Sequence, residues 1–188
     1  MSPEQLELHT GKAVFTTCAG CHGNDAGGRD YMYAPNLTGL DADYLKRQLL
    51  NFRQGKRGKM EDLHGFQMVG RATAIGDESQ IDALIRYIGS LPRKEPVDLT
   101  ARTVPAGLES QIQFCATCHG DDGMGMAEME APALTGLDQA YIAKQLRKFR
   151  DGLRGYDESD GPGQSMAASA KTIGSEEEID QIAKYYGH

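Results

Sequence analysis

Two short stretches carry all four cysteines of the chain and set a histidine behind each pair: Cys18-Ala19-Gly20-Cys21-His22 and Cys115-Ala116-Thr117-Cys118-His119. Thiols three positions apart on a helical turn share one face, so each pair can form thioethers to the two vinyl groups of one macrocycle. The adjacent histidine is then held under the iron as its proximal ligand. Cys-x-x-Cys-His is accordingly the attachment pattern of c-type haem. Each motif continues into glycine and then amide or acidic residues, Gly23-Asn24-Asp25 and Gly120-Asp121-Asp122.

Other uses of these residues fit less well. A zinc site shared between two Cys-x-x-Cys pairs wants them about 15–20 residues apart, whereas here the interval runs from Cys21 to Cys115. A thioredoxin-like redox pair belongs in a strand–helix context, and no β-branched run precedes either motif. Two small disulfide loops would leave a histidine at the same offset, twice, without a purpose.

The motifs belong to a longer repeat. His22 and His119 lie 97 positions apart, and the same offset joins Pro35 to Pro132, Thr38-Gly39-Leu40 to Thr135-Gly136-Leu137, Tyr44 to Tyr141, Gln48 to Gln145, Phe52 to Phe149 and Arg57 to Arg154. After a one-residue insertion, Met68 pairs with Met166, Ala72 with Ala170, Ile75 with Ile173 and Ile81 with Ile179. The chain is a tandem duplication. Residues 1–92 and 106–188 read as two haem domains, and residues 93–105, with Pro96, Pro105 and alternating charges, read as the linker. At 39% hydrophobic residues, domains of this size bury too little surface to be comfortable without a staple. A covalently held apolar macrocycle supplies one.

The elements that must position the motifs are helical. Leu6, Leu8, Ala13, Val14 and Phe15 predict an amphipathic helix from about Glu4 into Cys18. Gly23 to Gly39 reads as loop. Tyr44, Leu45, Gln48, Leu49 and Phe52 predict a second helix over Asp43–Arg53, ended by Gly55 and Gly58, after which a flexible stretch leads to Met68. Asp77 with Gln80, and Ser175 with Glu178, are capping-box pairs before the final helix of each half. No alternating strand pattern occurs, so both domains are expected to be all-α.

The second axial ligand decides between electron transfer and catalysis. Of eight methionines, Met1 is terminal, and Met32, Met124, Met126 and Met129 follow their motifs too closely, in the loop expected on the proximal side. Met60, Met68 and Met166 remain. Met68 and Met166 correspond in the repeat and precede the final helix of each half, which makes them the expected distal ligands. His64 rivals Met68 in the first half, but the counterpart region Ser159-Asp160-Gly161-Pro162 has no histidine. His9 and His188 read as surface residues.

Charge narrows the partners. The formal net charge is −7, which disfavours a nucleic-acid surface. Residues 106–188 hold 14 acidic and 7 basic side chains against 11 and 10 in residues 1–92. That asymmetry, with the basic run Lys56-Arg57-Gly58-Lys59, points to oriented docking on charged redox partners. No run approaches the roughly eighteen apolar residues of a membrane span, so membrane association, if any, is peripheral. No export signal stands at the start. Because haem c is attached outside the bacterial cytoplasm, an export signal is expected to have been removed.

With these residues in place, the chain resembles the dihaem cytochrome c4 family, class I c-type cytochromes of the bacterial periplasm, over nearly its whole length. The resemblance rests on the two Cys-x-x-Cys-His motifs, the Pro-x-Leu-Thr-Gly-Leu stretches starting at Pro35 and Pro132, the Tyr-x-x-x-Gln-Leu helices and the Met-x-x-x-Ala stretches starting at Met68 and Met166. It implies two tandem class I cytochrome c domains related by a pseudo-twofold axis. Each would hold one covalent haem c through Cys18 and Cys21 or Cys115 and Cys118, with iron ligands His22 and Met68 or His119 and Met166. It further implies that the Pro35 and Pro132 carbonyls orient the proximal histidines. The implied activity is periplasmic electron transfer from a respiratory or dehydrogenase donor toward a terminal oxidase or other acceptor. A cytochrome subunit of a dehydrogenase complex is the alternative. A dihaem peroxidase or thiosulfate-oxidising enzyme fits less well, since it would need an accessible iron.

Overall fold

Ser2 opens the first helix by a reciprocal cap: its hydroxyl accepts the Gln5 N–H at 3.2 Å, and the Gln5 side chain accepts the Ser2 N–H at 2.8 Å. With Pro3 at its first position, α1 runs over Pro3–His22 in the computed structural model, which describes residues 2–188. The helix thus carries the whole first motif to its C-terminal end. Further along come α2 (Ala42–Arg53), α3 (Leu63–Ala74) and α4 (Glu78–Gly89), and then α5 (Glu109–His119), α6 (Gln139–Arg150), α7 (Gly161–Ala170) and α8 (Glu176–Tyr186). Among the described residues the only extended pairings are the single bridges Arg29–Ala34 and Met126–Ala131. The fold is all-α.

The chain divides into two compact units between Lys94 and Glu95. In the first, α1 packs along α4, and α2 packs on α3 and α4. The α1–α4 crossing is tight because Gly11 offers no side chain: a Cβ there would lie 2.0 Å from the Ala83 carbonyl oxygen. One turn on, the Phe15 and Tyr87 rings meet at 5.5 Å, above a core of Phe15, Leu45, Ile75, Ile81, Leu84, Ile85 and Ile88. In the second unit α6 packs on α7 and α8, and the buried Tyr186 hydroxyl donates to the Ile112 carbonyl of α5 at 3.4 Å.

The final helices begin where the capping residues predict. Asp77 accepts the Gln80 N–H and Ser175 accepts the Glu178 N–H, each at 3.1 Å. The return bonds reach one residue further back than a capping box, Gln80 to the Gly76 N–H and Glu178 to the Gly174 N–H.

Two expectations are corrected. The stretch leading to Met68 is not a flexible loop but the helix α3, and Met166 likewise sits within α7. Glycines in both segments, and serines in the second, weaken the intrinsic helical signal, and buried aspartates supply what propensity does not. Asp62 accepts the Gly65 N–H at 2.9 Å and Asp160 accepts the Gly163 N–H at 3.2 Å, at the start of each helix. The stretch read as a linker is also folded for most of its length. The Val97 N–H donates to the Thr135 carbonyl at 2.8 Å, Leu99 is buried, and Arg102 donates to the carbonyls of Tyr185 and Gly187 at the end of α8. Its prolines and charges mimic a solvated tether, but its apolar and guanidinium groups satisfy the second unit.

In the second unit Arg147 and Arg150 of α6 both reach Glu176 in the first turn of α8, and Arg147 also donates to Asp180 at 2.7 Å. Hydrogen bonds from Arg147 and Arg150 hold the Glu176 carboxyl below its ordinary value of 4.5. Such an acid stabilises the fold above its unfolded value and loses that contribution as the pH falls through its lower folded value. The Glu176→Gln variant should therefore be less stable than the parent at neutral pH, with the difference starting to shrink as the pH falls past 4.5, vanishing only below the lower folded value, and shrinking in high salt. Urea unfolding across pH reads this directly. At the α1–α4 crossing, Gly11→Ala should cost about 1–3 kcal/mol, the usual penalty for overpacking, measured by the same unfolding.

Candidate functional site

Each motif closes a helix, and a glycine with positive φ turns the chain away from it: Gly23 (φ 82°) after His22 and Gly120 (φ 80°) after His119. The loop then folds back under the imidazole. Its return is fixed at Gly28 (φ 89°) and Gly125 (φ 83°), whose N–H groups donate to the His22 and His119 carbonyls at 2.9 and 2.8 Å. A Cβ at either glycine would stand 2.6 Å from the backbone nitrogen of Asn36 or Ala133. Only glycine lets the following Pro35 or Pro132 come this close. Both glycines share the 97-residue offset, a signal that points to this role only once the loop geometry is known.

The result is the same in both units. The His22 ring contacts the Pro35 carbonyl through Nδ1 at 2.9 Å, and His119 contacts that of Pro132 at 2.8 Å. A carbonyl can only accept, so Nδ1 carries the proton and Nε2 keeps its lone pair for a metal. Both rings are buried, and burial pushes their pKa down against the raising effect of the carbonyl bond. Each imidazole is therefore neutral and correctly tautomerised for iron. The proline role implied by resemblance has its geometry here.

The four thiols form no disulfide. Burial raises the pKa of Cys18, and pushes that of Cys115 up to about 11, so both are protonated at neutral pH. Among the described residues no three His, Cys, Asp or Glu side chains gather as a metal cage. The donor set therefore reads as two copies of one site.

Met68 lies half-buried on α3, and Met166 half-buried on α7, packed with Phe149, Ala167 and Ala170. The face of α3 bearing Met68 also bears His64 one turn before and Arg71 one turn after. The His64 ring meets Tyr33, in the loop that holds Pro35, at 5.2 Å between centroids. Arg71 acts electrostatically on the Cys18 thiol, favouring its ionised form against the effect of burial. Met68 is thus bracketed by a ring in contact with the Tyr33 loop and a guanidinium whose charge is felt at Cys18. The other methionines fall away: Met60 is 79% exposed, and the Met124 sulfur accepts the Thr135 hydroxyl at 3.2 Å. Met32 and Met129 lie in 3₁₀ turns just past their motifs, and Met126 immediately precedes the second turn.

One repeated group escaped functional assignment from sequence. Arg57 and Arg154 are buried, and each donates to the glutamine nine residues earlier, Gln48 at 2.6 Å and Gln145 at 2.9 Å. Each guanidinium also stacks on a phenylalanine, Phe52 at 4.4 Å and Phe149 at 4.3 Å. The next residues, Gly58 and Gly155, press against the Gly65 and Gly163 backbones, where a Cβ would lie 2.6 and 2.1 Å from the carbonyl oxygen. These clasps fix α3 and α7 against α2 and α6. On α2, Asn51 keeps a buried side-chain N–H with no acceptor, a donor suited to a cofactor carboxylate; Lys148 holds the corresponding place in the second unit. The residues present fit a covalent haem in each unit. Replacing Cys18 and Cys21 together by serine should leave one covalently bound haem per chain instead of two, read by the pyridine haemochrome absorbance and intact mass.

Comparison with known proteins agrees with the duplication. The model of the family described as Cytochrome c matches residues 8–92 and again residues 109–186. A thiosulfate dehydrogenase electron acceptor of Stutzerimonas stutzeri (strain A1501) is 32% identical over 98% of this chain and 88% of its own length. A cytochrome c4 of Pseudomonas aeruginosa is 30% identical over 93% of this chain and 85% of its own. In architecture the chain is similar to reduced recombinant cytochrome c4 from Pseudomonas stutzeri, with a TM-score of 0.71, 23% identity, and coverage of 95% and 96% of the two chains.

Proposed function

The chain belongs to the cytochrome c family, a dihaem c-type cytochrome that transfers electrons, and we propose that it does so as a mobile periplasmic carrier with both irons held by histidine and methionine. The observation that carries this reading is the twofold recurrence of a neutral, carbonyl-anchored imidazole in a unit with a methionine-bearing helix. Bound at each site, haem supplies an iron that cycles between ferrous and ferric states. The polypeptide does the rest. Cys18 and Cys21, and likewise Cys115 and Cys118, tether the macrocycle as their S–H groups add across its vinyl bonds, with no net oxidation. Pro35 and Pro132 hold the proximal rings through their carbonyls. Met68 and Met166 would supply a soft sixth ligand, which raises the potential and favours simple electron transfer.

Held by both a histidine and a methionine, an iron would offer no open position to peroxide or thiosulfate, so this ligation would go with a carrier rather than an enzyme. Periplasmic placement follows from the compartment in which haem c is attached, and no helix among the described residues is long and apolar enough to cross a membrane. A second reading, the electron-accepting partner of a dehydrogenase, is favoured by the likeness to the thiosulfate dehydrogenase electron acceptor. A dehydrogenase that stays bound through purification from the native source would decide for it.

The ferric protein should show the weak far-red methionine-to-iron band at an intensity accounting for both haems, and a redox titration should consume one electron per haem. Met166→His should halve the band and lower one of the two midpoint potentials, because imidazole is a harder ligand than thioether. A full band in that variant would reject Met166 as the ligand.

A further inference from the structure

Tyr33 ends the turn Asp30–Met32 in the left-handed conformation, at φ 51°. It lies two residues before Pro35, whose carbonyl holds His22. Its ring meets the His64 ring edge-on, with centroids 5.2 Å apart and planes at 68°. His64 stands one helical turn before Met68 on α3. The contact therefore joins the loop that fixes the proximal ligand to the helix that carries the distal one.

The repeat provides an internal contrast. Glu130 takes the place of Tyr33, with the same left-handed backbone at φ 52°. Pro162 takes the place of His64 in the first turn of α7. Neither residue has an aromatic ring, so the second unit cannot make this contact. There, proline fixes φ at the start of the methionine helix; in the first unit an aromatic pair anchors the corresponding turn from outside.

We propose that Tyr33 and His64 form a latch across the opening of the first haem site, positioning Met68 on its iron, and that the second site has no such latch. The proposal rests on the methionine ligation argued above. Displacement of the thioether requires α3 to move outward or the Met68 side chain to rotate away. The ring pair opposes the first of these motions, while the Arg57–Phe52 clasp and the Gly58–Gly65 contact are common to both units and create no difference between them.

Imidazole added to the ferric holoprotein is the probe, with loss of the far-red band as the readout. The two haems should give separable phases, and the phase altered in Met68→His belongs to the first. Tyr33→Ala and His64→Ala should each ease displacement at the first haem by roughly two- to tenfold, the range an edge-on ring pair supplies. The second haem should not respond, which also serves as the folding control. The double variant should resemble either single one, because both remove the same contact. His64→Phe should restore the parent behaviour by restoring a ring.

Equal easing at both haems, no change at either, or His64→Phe behaving like His64→Ala would overturn the latch. Failure of the underlying reading looks different. The unsubstituted protein would then lack the band for one haem, and if His64 were itself the ligand, His64→Phe would convert the first haem to high spin.

Discussion

An imidazole can serve an iron only if its proton sits on the far nitrogen and its plane is held, and in both units that condition depends on one bond from Nδ1 to a proline carbonyl. Everything nearby is arranged around it. The motif must end a helix so that histidine projects beyond the last turn, and the chain must reverse at once through Gly23 or Gly120. It must then pass close enough at Gly28 or Gly125 for the proline to arrive beneath the ring. Burial completes the arrangement by disfavouring the imidazolium, so the same packing that excludes water also leaves the metal-binding electron pair available.

The two copies keep this constraint and differ in how they brace what surrounds it. In the first, Arg53 donates to the carbonyls of Ala72 and Ile75 at the end of the methionine helix, at 3.2 and 2.7 Å. Its counterpart Arg150 turns to Glu176 and Asp151. A guanidinium that satisfies backbone in one unit thus serves a charge network in the other. The excess of acidic residues in the second half is partly structural, since Glu176 and Asp180 tie α8 to α6.

Much of this was legible from residue types and spacing. The motifs name their cofactor by chemistry, and the repeat singles out Met68 and Met166 among eight methionines as the pair proposed to ligate the irons. The helices α2 and α4, with clear apolar faces, also announced themselves, as did α1 through the motif it ends in. What escaped was structure that depends on burial and close backbone contact rather than on intrinsic propensity. The helices α3 and α7 are glycine-containing, and they form because buried aspartates cap them and glycines let neighbouring backbone lie against them. The Arg57–Gln48–Phe52 clasp was visible as a set of repeated letters, but its geometry depends on the turn after α2 folding back on that helix.

The join between the copies has its own history written in it. Residues 3–11 form the first turns of α1, and at the repeat offset they correspond to residues 100–108, which hold a 3₁₀ turn and irregular backbone up to the start of α5 at Glu109. Duplication of such a unit did not require an inserted spacer. In the second copy the connection occupies the positions that are helix in the first, and Leu108 stands where the first copy needs Gly11 for its closest helix crossing. The element that carries the shared motif is thus also where the two halves differ most in length, twenty helical residues in the first against eleven in the second.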